Sequence, residues 1–113
     1  MCEFKVTVSD GKKSSIAATD IIYAEQVEGK VILRDILGAS LEVNSAIISY
    51  VNVNTQQLRL LSIPILESLT KFLGLYIECV KNGKYNAEIE EVWNRLKNEG
   101  KKLLDGLRKD STL

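Results

Sequence analysis

The sequence predicts an α+β protein, with a small antiparallel β-barrel over residues 1–62 and a C-terminal αα-hairpin over residues 63–113. Three observations carry this. Apolar and polar residues alternate through the first half. Turn signals recur there at short intervals. From Pro64 onward the apolar residues instead recur three and four apart. Five or six short strands in about sixty residues often make an SH3-like barrel.

In EFKVTVS, Phe4, Val6 and Val8 point one way while Glu3, Lys5 and Thr7 point the other, as in a half-buried strand. Asp10-Gly11 makes a turn. In IIYAEQVEGKVILRDILG, Glu28-Gly29-Lys30 forms the tip between two β-rich arms. Gly38 marks another reversal before SLEV. SAIISYVNVN and QLRLLS pair around Asn54-Thr55, with Ile48, Tyr50 and Val53 expected inside.

The helical half starts with Pro64 in a first turn, where a missing N–H costs nothing. Ile65, Leu69, Phe72, Leu73, Tyr76, Ile77 and Val80 make one apolar stripe, and Asn82-Gly83 ends the helix. A second helix begins near Asn86. Its stripe of Ile89, Trp93, Leu96, Gly100, Leu103 and Leu107 has heptad-like spacing. Acids lie early in it (Glu88, Glu90, Glu91) and bases late (Lys101, Lys102, Arg108), which suits the helix dipole. Gly100 and Gly106 each weaken such a helix by about 1 kcal/mol relative to alanine.

Composition narrows the function. Fifteen bases balance fifteen acids. Residues 1–62 carry six bases and seven acids (net −1) and residues 63–113 nine and eight (net +1). A field of this kind favours neither nucleic acid nor an anionic membrane. There is no histidine, which removes Ser-His-Asp and Cys-His catalysis, His-based zinc hydrolases and histidine switches. No stretch approaches the ~20 apolar residues of a membrane span. No secretory signal is visible, and two cysteines without disulfide spacing fit a reduced, cytoplasmic protein. The carboxylate pairs (Glu90 with Glu91, Glu25 with Glu28) lack an acid–base partner and read as solvated, so no enzyme activity is expected.

Three candidate sites remain. Cys2 follows the initiator methionine; if Met1 is removed, thiolate, α-amine and first amides can chelate a soft or borderline divalent metal. Tetragonal nitrogen-and-sulfur coordination suits nickel or copper. Two termini meeting across a homodimer axis would supply two thiolates. The bland alternative keeps Met1, with Cys2 merely opening the first strand. Lys12, Lys13, Lys30, Arg34 and Arg59 are the second candidate, an RNA-binding face with Phe4, Tyr23 and Tyr50 for stacking. A solvated scatter of bases explains them as well. The helical hairpin is the third, as a protein-docking surface that an exposed apolar patch on helix 63–82 would favour. Cys79 reads as a structural, partly buried thiol.

The opening MCEFKV, followed by IAATDIIYAEQVEGKVILRDILGASLEV and SAIISYVNVNTQQLRLL, resembles the CooT family over residues 1–62. Asp20, Gly29 and Gly38 stand at the places of that pattern. The resemblance implies a small nickel-binding homodimer, an accessory to carbon monoxide dehydrogenase maturation, with Cys2 as metal ligand and a metalloenzyme as client. Members are also labelled predicted RNA-binding proteins. The helices at 63–113 go beyond the short family type.

Overall fold

The structure, a computed structural model, describes residues 3–110. Six strands precede two helices: β1 (Phe4–Ser9), β2 (Ser14–Val27), β3 (Lys30–Asp35), β4 (Ser40–Asn44), β5 (Ala46–Asn52), β6 (Gln57–Ser62), α1 (Ile65–Asn82) and α2 (Glu88–Asp110). The chain divides into two compact units, one ending at Glu67 and the other beginning at Ser68.

The first unit is one sheet in the order β4-β3-β2-β1-β6-β5. Two features depart from the predicted antiparallel barrel. β1 and β6 pair in parallel, with Lys5 opposite Gln57 and Thr7 opposite Arg59. The ladder is also not closed, because β4 and β5 are edge strands rather than partners. Side chains and single backbone bonds cross the gap instead. The Gln26 amide on β2 donates to the Ala46 carbonyl at 2.8 Å and accepts from the Ile48 N–H at 3.1 Å. The Ser62 hydroxyl donates to the Asn44 carbonyl at 3.0 Å. Only Ser45, at φ +50°, separates β4 from β5 along the chain, so the sheet must curl until its two edges meet.

Irregular registers supply that curl. They occur on β2 between Ile16 and Ile21, opposite Phe4–Thr7 of β1, again on β2 between Ile21 and Tyr23, and on β5 between Ile48 and Tyr50. One extra residue in a strand bends it and sharpens its twist. Inside the curl, Val6, Ile21, Val31, Leu33, Ala46, Leu58 and Leu60 form the core. The expected alternation on β1 holds, with Val6 fully buried and Lys5 exposed.

The inward places expected for Tyr50 and Val53 do not hold: they are 38% and 62% exposed, while Ile48 packs on the core. The irregularity at Ser49 is the reason. It skips one residue between the Ile48–Leu60 and Tyr50–Arg59 pairs and so moves Tyr50 to the outer face. Val53 lies beyond β5, in the turn before β6.

In the second unit, Gly83 at φ +63° follows α1, and the Asn86 side chain caps α2 by accepting the Glu88 N–H at 3.0 Å. The helices touch in opposite order along their lengths, as an αα-hairpin requires. The Ser68 hydroxyl donates to Glu99 Oε1 at 2.7 Å, and the Phe72 and Trp93 rings lie 5.5 Å apart. Among the described residues, no helix is long and apolar enough to cross a membrane.

Candidate functional site

Cys2 lies outside the described residues; the described chain reaches β1 through Glu3 and Phe4. Phe4 lines an apolar cleft of about 250 Å³ with Ile21, Ile22, Tyr23, Ile48 and Val51. Only Glu3 separates Phe4 from Cys2 in the sequence. Cys79 is a free, half-buried thiol on α1. Among the described residues, no group of three or more His, Cys, Asp or Glu side chains is placed to hold a metal ion.

The five basic candidates occupy several places. Lys12 and Lys13 sit in the β1–β2 turn, where both backbone N–H groups donate to Asp10 Oδ1 at 2.8 Å. Those bonds, Lys13's first, hold the Asp10 carboxyl below the ordinary aspartate value. Lys30 opens β3 and pairs with Glu42 of β4 at 3.0 Å. Arg34 is on β3 and Arg59 on β6, with β2 and β1 between those strands.

Each arginine lies over a tyrosine expected from the sequence to offer a stacking surface. The guanidinium carbon of Arg34 is 4.6 Å from the Tyr23 ring centre, and that of Arg59 is 4.4 Å from the Tyr50 centre. The two pairs are built alike. Each tyrosine follows a register irregularity and stands directly across an antiparallel ladder from its arginine. Each phenol is also fixed by the residue two places on. Tyr23 donates to Glu25 Oε2 at 3.0 Å, and Asn52 Nδ2 donates to the Tyr50 oxygen at 2.9 Å. The bond to Glu25 is the main cause that raises the Tyr23 pKa, since it favours the protonated phenol.

The cross-strand pairing of these residues is not among the expectations from the sequence. Its signal was present, because Ile-Ile precedes Tyr23 and Ile-Ile-Ser precedes Tyr50, with Arg34 and Arg59 in the following strands. A strand that shifts face by one residue hides such a pair from strict alternation.

On the helical unit, Leu73, Tyr76, Ile77 and Val80 continue the α1 stripe at exposures of 48%, 54%, 50% and 63%. The earlier members of the same stripe, Leu69 and Phe72, are half-buried.

The family model described as CO dehydrogenase accessory protein CooT matches residues 1–60. A crystal structure assigned as CooT from Carboxydothermus hydrogenoformans aligns with a TM-score of 0.49 and 18% identity, covering 55% of this chain and 98% of that one. Among curated proteins there is no match.

Proposed function

The chain belongs to the CooT family, and from that premise we propose that it is a non-enzymatic accessory protein that binds a divalent metal, nickel, as cargo. Cys2 is the proposed ligand. With Met1 removed, its thiolate, its α-amine and the first backbone amides form a nitrogen-and-sulfur set of the kind nickel accepts. The carrying observation is the family match over residues 1–60, a span that includes the Met-Cys opening. The absence of histidine adds support, because it leaves the two thiols as the strongest soft ligands in the chain. A homodimer bringing two termini together would double the thiolates. The proposed client is a CO dehydrogenase, to which the ion is passed. We assign the curled sheet to the SH3-like group on its strand number and its strong coiling.

Nickel titration of methionine-processed protein tests this reading, with intact mass reporting the state of Met1. A thiolate charge-transfer band is expected to disappear in Cys2→Ser and to persist in Cys79→Ser. A band that survives in Cys2→Ser removes the proposed ligand.

The bare part of the α1 stripe favours a second role for the hairpin, docking onto the client protein. Ile77→Glu would then weaken capture of the client by about tenfold or more and leave nickel binding unchanged. Equal capture by both forms argues against it.

A further inference from the structure

We propose that the outer face of the β1/β6 pair binds a phosphate-bearing small molecule, with Lys5 and Arg59 taking the charge and Thr7, Ser9 and Ser14 donating hydrogen bonds. These side chains line a cleft of about 490 Å³ together with Ser49, Gln57 and Leu61.

Strand geometry explains why they converge. With Val6 buried, Lys5, Thr7 and Ser9 share the opposite face of β1, and the parallel register sets Lys5 beside Gln57 and Thr7 beside Arg59. With Leu58 and Leu60 buried, Gln57 and Arg59 face outward from β6. Ser14 stands across from Ser9 at the end of the β1/β2 ladder.

The chemistry of the lining is one-sided. It holds two cations, four hydroxyls and an amide, and no carboxylate. Among the described residues neither Lys5 nor Arg59 has an acidic partner, whereas Lys30 and Lys71 do. This asymmetry occurs in a half whose net charge is −1, so it is local. Two unpaired cations beside several donors attract an anion with many acceptor oxygens.

Arg59 is already oriented for that task. Its guanidinium stacks on Tyr50, which Asn52 holds, and stacking leaves the edge N–H groups free for a bidentate contact with two phosphate oxygens. The Ser9 Oγ accepts the Gly11 N–H at 3.0 Å, so its own proton is left to donate. Ser49 donates to the Arg59 carbonyl at 3.1 Å and steadies that strand position. The volume exceeds that of one phosphate and falls in the range of small-molecule sites, and Leu61 supplies an apolar wall for the rest of the ligand.

The test is a titration of the full-length protein with adenosine monophosphate, followed by amide chemical shifts. Perturbations centred on residues 5–9 and 57–61, reproduced by inorganic pyrophosphate and absent with adenosine, are expected. Affinity for adenosine monophosphate should fall about tenfold or more in Arg59→Gln and in Lys5→Gln, and remain unchanged in Lys12→Gln. Both altered residues are exposed, and unchanged thermal melting of either variant keeps the comparison valid. Equal binding of adenosine, unchanged affinity in both variants, or shifts centred elsewhere would overturn the proposal. Binding only to a single-stranded RNA oligomer would overturn it too, by assigning the face to a polymer.

Discussion

In the sheet unit, seven apolar side chains from five of the six strands are almost wholly removed from water. In the helical unit, Val92 is buried to that degree, while Leu73, Ile77, Val80, Leu103, Leu104 and Leu107 are 44–66% exposed. The difference follows from geometry. A sheet curled until its edges meet has an inside that every strand can reach. Two helices share only a seam, and a stripe longer than that seam stays bare unless another surface covers it. The unit that matches the family holds itself together from within, and the helices that follow it leave many apolar side chains exposed.

Core truncation should separate the units most clearly. Leu33→Ala, at a fully buried place on β3, is expected to cost about 3 kcal/mol in chemical denaturation. Val92→Ala should cost about 2 kcal/mol or less, since fewer atoms leave a smaller core. Equal losses would break the contrast.

Glycines offer a test with opposite signs. Gly29 sits at φ +78°, and an added Cβ would stand 3.3 Å from Glu67 Cγ. Gly29→Ala is therefore expected to destabilise by about 1–2 kcal/mol. Gly106 is helical with nothing near an added Cβ, so Gly106→Ala should stabilise by up to about 1 kcal/mol. Thermal melts of the two variants decide this.

Ile77→Glu should move stability by no more than about 0.5 kcal/mol, as an exposed position requires. A larger loss would show that the α1 stripe is covered in solution.

The smallest effect concerns Asp10. Its carboxyl is held below the ordinary value by two backbone N–H groups, so the contribution of these bonds is present above the unfolded-state value. It is lost as pH falls through the lower folded value. The Lys12 and Lys13 amide shifts should titrate with a midpoint below that of ordinary aspartate.

Much of this was readable beforehand because it is local. The six strands, two helices and several reversals follow from alternation, period and glycine. Asp20, Gly29 and Gly38, the positions on which the resemblance was read, all have positive φ, at 58°, 78° and 89°. Short polar or glycine residues are the ones that tolerate that region. What escaped was not local. No propensity couples Lys5 to Gln57 across fifty residues of chain, so the parallel β1/β6 pair was invisible. The skipped residues at Ile22 and Ser49 reverse a face without changing composition, which concealed the Tyr–Arg pairs. Of the candidate site, the basic residues could be named but not grouped. Cys2 lies outside the described residues, and its role rests on chemistry and family membership.

The position of β1 in the middle of the sheet has a consequence for biosynthesis. β1 leaves the ribosome before both of its neighbours and can pair early with β2, but its other flank waits until β6 has been made. A nascent chain stalled before Gln57 would carry one bare flank of β1, open to a neighbouring polypeptide. The α1 and α2 segments emerge only afterwards, and while they occupy the exit tunnel they give the sheet time to finish.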